Sequence, residues 1–355
     1  TLPAMPDHYD RLAAPPLRIE RYGLRRLELP MDDDFVRVTT LIELHGGGAE
    51  GVGEEVTYEA DDHDLLQVAG AVHDLTRVRT LGDLGEMLDG LDLFPAPPGM
   101  EVFRNYRRWA VESAGLDLAL RQAGSSLAEA LGIVPRPVRF VASMRFPEPP
   151  DAARMLHMLR MLPDMEAKLD PTPDWDDDFV GVVARTGAVR ILDLKGAYEG
   201  TIVDRGADPA LYSRVATHFP DAILEDPRLN DETRAALGEG VRRLSWDAPI
   251  HSLDDVAALD RTPAAINVKP SRVGGLRRLL ELYRGLAEAG IPAYGGGQTE
   301  LGVGRGQIQY LAALFHPDGP NDVAPREYNL PRPPNDLPAS PLRPQQAATG
   351  FRWGR

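Results

Sequence analysis

The sequence contains no cysteine, and only three of its 39 basic residues are lysines. Without cysteine the chain can form neither disulfides nor zinc–thiolate sites, and it has no cysteine nucleophile. Lysine differs from arginine in a way that matters for catalysis, because lysine can lose its proton near neutral pH in a suitable environment and arginine cannot. The first candidates for functional residues are therefore Lys168, Lys195 and Lys269.

Long apolar runs are also missing from the sequence. No run approaches the roughly 18 residues that span a membrane, and the first residues, TLPAMPDHYD, lack the basic and apolar regions of a signal peptide. A net charge of −15 argues against nucleic acid or an anionic membrane as a partner. We therefore expect a cytoplasmic enzyme that acts on a small molecule.

Beyond Pro135 and Pro137 the chain alternates between short apolar runs and segments with helical spacing. Repeated strand–helix alternation predicts a parallel sheet. Seven runs, with a short eighth strand before Asp322, predict a barrel closed like a TIM barrel. A doubly wound open sheet is the structural alternative, although no nucleotide-binding fingerprint follows the first strand. The runs span residues 138–144, 165–169, 189–194, 221–227, 241–247, 264–270 and 291–297.

Charged residues stand at the carboxyl ends of these runs. In a parallel barrel those ends meet at one mouth, where active sites lie. One such acid alone is usually the N-cap of the next helix, but several acids together with all three lysines favour a site. Converging carboxylates without cysteine or histidine suit a hard divalent cation such as Mg²⁺. In chain order the residues are Glu166 with Lys168, Asp193 with Lys195, Glu225 with Asp226, Asp247, Lys269 and Glu300.

This pattern resembles the enolase superfamily, and specifically its muconate-lactonizing-type branch with two catalytic lysines, from about residue 17 to residue 328. The segments INVKPSRVGG and GGQTELGVGRG are similar to those of o-succinylbenzoate synthases and N-acylamino-acid racemases. The resemblance implies an α/β fold, a modified TIM barrel (β/α)7β with an N-terminal α+β capping domain. We predict the capping domain over residues 1–136, the barrel with the catalytic site over 137–328, and a proline-rich tail over 329–355.

The resemblance also implies roles for individual residues. Asp193, Glu225 and Asp247 would bind Mg²⁺ or Mn²⁺. Lys168 and Lys269 would be the acid/base pair that abstracts a proton α to a carboxylate, through an enediolate. The GGQTE segment would line the substrate pocket, and loops 31–35 and 54–58 of the cap would close over the barrel. The predicted substrate-binding residues are Lys195, Glu166, Gly297, Gln298, Glu300, Tyr58 and Phe35.

The implied reaction is an elimination or a 1,1-proton transfer, of the o-succinylbenzoate synthase and N-acylamino-acid racemase kind, on a small-molecule carboxylate substrate. A muconate-type cycloisomerase and a dipeptide epimerase are the alternative enzymes. An alternative of another class is a catalytically degenerate binding protein in which Lys195 alters the metal site. We also expect a homo-oligomer.

Three positions depart from the superfamily pattern. Lys195 follows Asp193 where the superfamily usually has Asn, Glu166 replaces the first lysine of K-x-K, and Ala248 replaces the usual Glu after Asp247. We predict an ion pair between Glu166 and Lys195 across adjacent strands. Separately, glycines at positions 302, 304 and 306 predict either an anion site at a helix N-terminus or a plain turn.

Overall fold

The computed structural model describes residues 8–31, 35–198, 201, 204–330 and 332–354. Within these residues a three-stranded antiparallel sheet is followed along the chain by a seven-stranded parallel sheet. None of the described helices is both long enough and apolar enough to cross a membrane.

The strands have the following bounds in chain order. They are β1 (Arg21–Pro30), β2 (Val36–Gly46), β3 (Ala49–Glu55), β4 (Ala142–Met144), β5 (Ala167–Leu169), β6 (Val189–Asp193), β7 (Ile223–Glu225), β8 (Leu244–Trp246), β9 (Ala265–Val268) and β10 (Ala293–Gly295).

The α-helices flank and connect these strands. They are α1 (His8–Ala13), α2 (Ala60–Ala69), α3 (Leu81–Asp89), α4 (Phe103–Gln122), α5 (Leu127–Leu131), α6 (Ala153–Met161), α7 (Asp177–Ala184), α8 (Pro209–His218), α9 (Asp231–Leu237), α10 (Leu253–Ala257), α11 (Pro270–Val273), α12 (Leu276–Ala289) and α13 (Val303–Phe315). Short 3₁₀ helices span Gly238–Arg243 and Arg326–Asn329.

In the cap, helix α4 lies directly on strand β3. Two glycines of β3 permit this contact, because a Cβ on Gly53 would lie 2.0 Å from the carbonyl oxygen of Ala110, and one on Gly51 would lie 2.3 Å from that of Ala114. The side chains on the other faces of α4 are also largely buried, and the helix packs against α11 of the barrel. The cap and the barrel therefore share one continuous apolar core around α4.

The parallel sheet runs in the order β4-β5-β6-β7-β8-β9-β10, which is the order of the chain. Its two edge strands are joined by a short segment, because the N–H of Val141 donates to the carbonyl of Asn321 (2.8 Å) and the N–H of Asp322 donates to that of Gly295 (2.8 Å). Each of the seven predicted runs contains one of these strands. The predicted fold class is confirmed, whereas the predicted eighth strand is present only as isolated bridges at Asn321 and Asp322.

The proline-rich tail packs against both parts of the chain. Leu342 exchanges two backbone hydrogen bonds with Val138, at the start of the barrel. Phe351 is fully buried between Trp109 of α4 and Tyr310 of α13, at ring-centroid distances of 6.3 and 6.1 Å.

Candidate active site

The carboxyl ends of β5 to β9 place the predicted catalytic and metal-binding side chains around one mouth. Parallel pairing sets their heights, because Asp193 at the end of β6 pairs in register with Glu225 at the end of β7. Asp247 and Lys269 each follow the last residue of their strand, β8 and β9. Lys168 lies on β5, so the acids of β6, β7 and β8 stand between the two predicted catalytic lysines.

Lys168 is held by carboxylates of the barrel. Its Nζ atom contacts Oε1 of Glu225 and lies 3.3 Å from Oδ2 of Asp193 and 3.6 Å from Oδ2 of Asp322. Burial by itself lowers the pKa of Lys168, but the three carboxylates outweigh this effect and hold its pKa well above the usual value. Lysine can therefore act as a base here only when the charge of these carboxylates is compensated.

Lys195 donates two hydrogen bonds to the carboxylate of Asp193. Its Nζ lies 2.5 Å from Oδ2 of Asp193, and its backbone N–H donates to Oδ1 of the same carboxylate (3.1 Å). The residue adopts a φ of 53°, a left-handed conformation that is uncommon outside glycine and brings both of its donors to one acid. A second carboxylate, that of Asp170, lies 3.8 Å from Nζ. The pKa of Asp193 is lowered, because Lys195 and Lys168 outweigh the effect of burial.

The predicted ion pair between Glu166 and Lys195 is wrong. Both carboxylate oxygens of Glu166 accept hydrogen bonds from Arg139, at 2.6 and 2.7 Å, and Oε1 also accepts one from Arg190 (2.6 Å). These partners lie before β4 and within β6, towards the amino ends of the strands. Glu166 is thus bound at the end of the barrel opposite the mouth, which alternation along β5 alone could not reveal.

Glu225 and Asp226 form the centre of the acidic group. Oε2 of Glu225 accepts hydrogen bonds from the Tyr294 hydroxyl and from Nδ2 of Asn267 (3.3 Å). Asp226 has a φ of 48°, and its carboxylate accepts the backbone N–H groups of Asp247 (2.8 Å) and Ala248 (2.9 Å). One oxygen from each of Asp193, Glu225 and Asp226 lies within 4.8 Å of the others, a spacing that could hold a metal ion.

Asp247, the third metal ligand implied by the resemblance, is surrounded by donors. Its Oδ2 lies 2.8 Å from Nζ of Lys269 and accepts a hydrogen bond from the Tyr198 hydroxyl (3.1 Å). Its Oδ1 accepts a hydrogen bond from Nη1 of Arg272 (2.6 Å). Burial raises the pKa of Asp247, but Arg272 and Lys269 outweigh it and lower the value to about 2. Tyr198, Arg272 and Tyr294 are site residues that were not predicted from the sequence. A signal was available for Arg272 alone, which lies in the INVKPSRVGG segment.

The acids of this cluster outnumber its cations, so that a divalent cation could compensate the remaining charge. Among the described residues, six carboxyl groups meet four cations, so the fully ionised cluster carries an excess of two negative charges. Burial and the neighbouring acids raise the pKa of Glu225 to about 8 and that of Asp226 to about 7. Oxygen donors in this number and charge fit Mg²⁺. The acids are Asp170, Asp193, Glu225, Asp226, Asp247 and Asp322, and the cations are Lys168, Lys195, Lys269 and Arg272.

A cavity of about 360 Å³ opens above the cluster, between the cap and the barrel. Of the predicted site residues, Lys168, Lys269, Lys195, Gly297 and Tyr58 line it. The other described lining residues are Met31, Ser143, Met144, Arg145, Arg154, Asp170, Thr299, Arg305, Asp322 and Asn329.

Four predicted substrate-binding residues are not part of this described lining, and one of them is Glu166, which lies at the opposite end of the barrel. Gln298 is turned towards the cap, where its Nε2 donates to the Tyr106 hydroxyl (2.9 Å). Glu300 is buried, with Oε1 accepting the N–H of Gln298 (2.6 Å). Phe35 is 39% exposed at the end of the loop 31–35, of which residues 32–34 lie outside the described residues.

Two enzymes of other organisms are similar in sequence to this chain. An N-succinylamino acid racemase of Thermus thermophilus is 29% identical over 333 residues, which cover 87% of this chain and 86% of that protein. An o-succinylbenzoate synthase of Geobacillus stearothermophilus is 29% identical over 228 residues, 62% of this chain and 59% of that protein.

Solved structures share the fold at low sequence identity. A dipeptide epimerase from Methylococcus capsulatus complexed with a Mg ion aligns with a TM-score of 0.66 at 18% identity, covering 95% of this chain and 99% of that one. A muconate cycloisomerase from Pseudomonas fluorescens aligns with a TM-score of 0.65 at 19% identity, covering 96% and 94%. The predicted resemblance to the enolase superfamily is confirmed. The prediction that the protein is an isomerase or lyase is confirmed as well.

Two family models match the chain itself. The model described as Domain of unknown function (DUF8230) N-terminal domain matches residues 10–130, and that of the DUF8230 C-terminal domain matches residues 134–330, more than half of the chain. The chain belongs to this family.

Proposed function

We propose that the protein catalyses Mg²⁺-dependent proton abstraction α to a carboxylate, with 1,1-proton transfer on an N-acylated amino acid as the reaction. The observation that carries the proposal is the placement of Lys168 and Lys269 on either side of the acidic group. Both side chains are nearly buried and both line the same cavity. A substrate lying in this cavity would therefore meet one lysine on each face of its α-carbon.

The lining of the cavity suits an anionic substrate. Six of its described residues are cationic and two are acidic, although the whole chain has a net charge of −15. Three of the acids that hold the lysines, Asp193, Glu225 and Asp247, are fully buried behind them. With a divalent cation bound to the buried acids, the excess of cations in the lining would attract a carboxylate.

The acids of the mouth are the groups that would hold the cation. Asp193 and Glu225 are common to the geometric group and to the ligand set implied by the resemblance, and either Asp226 or Asp247 would complete it. When bound, a divalent cation supplies positive charge for the carboxylate oxygens on which negative charge develops as the α-proton leaves. The acids concerned also raise the pKa of Lys168, so compensating their charge would bring its pKa towards the range that a base needs.

The extent of the sequence match favours racemisation over elimination. The racemase of T. thermophilus matches over 333 residues, cap and barrel together, whereas the synthase of G. stearothermophilus matches over 228. In a racemisation one neutral lysine takes the proton and the opposite ammonium returns a proton to the other face. Elimination of the synthase kind needs the same abstraction step and is the second candidate.

The experiment is a deuterium exchange assay in D₂O with Mg²⁺, using N-succinyl-L-phenylalanine and N-succinyl-D-phenylalanine separately as probes. We expect loss of the α-proton signal by proton NMR together with formation of the other enantiomer. Lys168→Ala and Lys269→Ala should each abolish racemisation. Each variant keeps one lysine, so it should still exchange the α-proton of one enantiomer at most.

The matched control is Arg234→Ala, which removes a partly exposed ion pair with Asp260 away from the mouth. It should exchange both probes at the wild-type rate. Exchange that persists for both enantiomers in both lysine variants would refute the two-base mechanism. A protein that binds no Mg²⁺ after dialysis and exchanges neither these probes nor a panel of dipeptides would instead support the binding-protein alternative.

A further inference from the structure

A cap residue, Glu54, binds the first turn of a barrel helix. It lies in β3 and is 2% exposed. Its carboxylate accepts the backbone N–H groups of Leu301 (2.7 Å), Gly302 (2.9 and 3.0 Å) and Gly304 (2.8 Å), where α13 begins. These are N–H groups that the helix itself leaves without partners. The oxygen atoms at this glycine-rich N-terminus therefore come from a carboxyl group of the chain itself.

Two glycines of this segment lie close to the carboxyl group of Glu54. A Cβ on Gly304 would lie 2.9 Å from Oε2 of Glu54, and one on Gly302 would lie 3.3 Å from the same oxygen. A larger residue at position 304 would therefore displace the side chain of Glu54. Of the two alternatives predicted for these glycines, an anion site and a plain turn, positions 302 and 304 fit the turn, because the carboxyl group of Glu54 already accepts their N–H groups.

A second cap residue, Arg37 of β2, holds the loop that precedes α13. Its side chain is fully buried, and its guanidinium donates to the carbonyls of Gln298 (2.8 Å) and Thr299 (3.2 Å). The same guanidinium donates to the cap carbonyls of Val56 (2.6 Å) and Thr57 (2.5 Å). One planar group therefore joins the cap to the barrel loop through four hydrogen bonds, a geometry that lysine cannot reproduce.

The loop held in this way, residues 296–302, forms the wall beside Lys269. A Cβ on Gly296 would lie 2.8 Å from Cε of Lys269, so the loop backbone is in direct contact with the lysine side chain. Thr299 has a φ of 57°, a left-handed conformation unfavourable for a β-branched residue, which the surrounding contacts must maintain. Gly297 and Thr299 line the cavity.

Lys168 is held differently. Its partners are carboxylates from β6, from β7 and from the short segment at Asp322, all of them barrel groups. A displacement of the 296–302 loop would therefore reach Lys269 directly, and Lys168 only through Asp322, which forms a bridge with Gly296.

We propose that Arg37 and Glu54 are positioning residues through which the docked cap fixes the 296–302 loop and with it the approach of Lys269 to the substrate. This inference rests on the proposed function, because it concerns the proton transfer by Lys269, whose position depends on the cap through the 296–302 loop. A displacement of about 1 Å of a catalytic group can lower a rate by up to 100-fold.

The test compares Glu54→Gln and Arg37→Met with a control at the same interface. The control is Gln307→Met, which removes the hydrogen bond from α13 to the carbonyl of Val52 (2.8 Å) without touching the 296–302 loop. Arg37→Lys serves as the milder variant if Arg37→Met does not fold. Exchange of the α-proton is measured in D₂O for each enantiomer of N-succinyl-phenylalanine, after Lys168→Ala and Lys269→Ala have assigned an enantiomer to each lysine.

We expect Glu54→Gln and Arg37→Met to slow exchange of the enantiomer assigned to Lys269 by roughly tenfold or more in kcat. Exchange of the other enantiomer should stay within about twofold, as it should for both enantiomers in Gln307→Met. Equal losses for both enantiomers, or no loss, would overturn the inference while leaving the proposed function intact.

A second measurement does not depend on activity. Backbone amide exchange of the 296–302 peptide, followed by mass spectrometry, should accelerate in Glu54→Gln and Arg37→Met and stay at the wild-type rate in Gln307→Met. Unchanged protection of this peptide in Glu54→Gln and Arg37→Met would overturn the inference, whatever the activity of the protein. A wild-type protein that exchanges neither probe would refute the proposed function, and this result is independent of the peptide measurement.

Discussion

Nζ of Lys195 lies 2.5 Å from Oδ2 of Asp193, so a cation of the chain occupies one face of the acidic group. An ammonium at this position competes with a divalent cation for the same carboxylate and repels it. We therefore expect Lys195→Asn to bind Mn²⁺ more tightly than the wild-type protein, by about tenfold, equivalent to ~1.4 kcal/mol.

A calorimetric or electron paramagnetic resonance titration with Mn²⁺ measures this effect. Lys195→Arg keeps the positive charge and is the matched control, which should retain weak binding. If Lys195→Asn bound the ion no better than Lys195→Arg did, the ammonium would not be a competitor.

The third ligand of the cation can be assigned by comparing Asp226→Asn with Asp247→Asn. The oxygens of Asp226 are fixed by two backbone N–H groups, whereas those of Asp247 are met by the side chains of Lys269, Arg272 and Tyr198, which can rotate away. We expect Asp247→Asn to weaken Mn²⁺ binding more than Asp226→Asn does. The reverse order in the titration would assign the third ligand to Asp226.

A buried acid in the cap should make stability depend on pH below about 4.5. Burial raises the pKa of Glu55, but His63, Arg107 and the Thr57 hydroxyl outweigh it and lower the value to about 2. A carboxyl whose pKa is lower in the folded state stabilises the protein above its unfolded pKa, and this stabilisation is lost as pH falls through the folded pKa. The contribution is about 3 kcal/mol at neutral pH, of which about 2 kcal/mol is lost by pH 3.

Urea unfolding of the wild-type protein and of Glu55→Gln at pH 7 and pH 3 tests this dependence. The difference between the two proteins in free energy of unfolding should be large at pH 7 and should shrink at pH 3. Glu101→Gln, at an exposed carboxylate, controls for the general effect of acid. A difference that stayed constant with pH would mean that the charge of Glu55 contributes nothing.

The proline-rich tail should contribute to the stability of the whole chain. Phe351 is fully buried, and its N–H donates to Oδ1 of Asp117 (2.8 Å) in α4. Truncation of a buried phenylalanine typically costs about 3–5 kcal/mol. We expect Phe351→Ala to lower the free energy of unfolding by this amount in a urea titration, whereas Leu253→Ala, at a half-exposed surface position, should cost much less. A small effect of Phe351→Ala would show that the tail is not part of the core.

The barrel and most of its site could be predicted from the sequence because both depend on local periodicity. Strand-like runs fixed where the seven strands lie, and parallel pairing brings their carboxyl ends together whatever the details of packing. Lys168, Asp193, Glu225, Asp247 and Lys269 therefore meet at one mouth as predicted, although their roles remain predictions.

The partners of these residues could not be predicted in the same way. Glu166 and Lys168 are two positions apart and were expected on the same face of the strand. Glu166 lies nearer the amino end of the barrel, however, where it binds Arg139 and Arg190 instead of Lys195. Asp226 was expected at the mouth, but its place beside Asp193 and Glu225 as a possible metal ligand depends on a left-handed backbone conformation that no pattern in the sequence indicates.

The sequence by itself thus determined the fold class, the residues at the mouth and the rarity of lysine that pointed to them. The tertiary structure alone decided which charges compensate which, and that Glu54 and Arg37 of the cap hold the loop beside Lys269. The physical reason is that periodicity reports the face on which a side chain lies. Electrostatic partnership depends on distances between residues far apart in the chain, more than 240 positions in the case of Glu54 and Gly304.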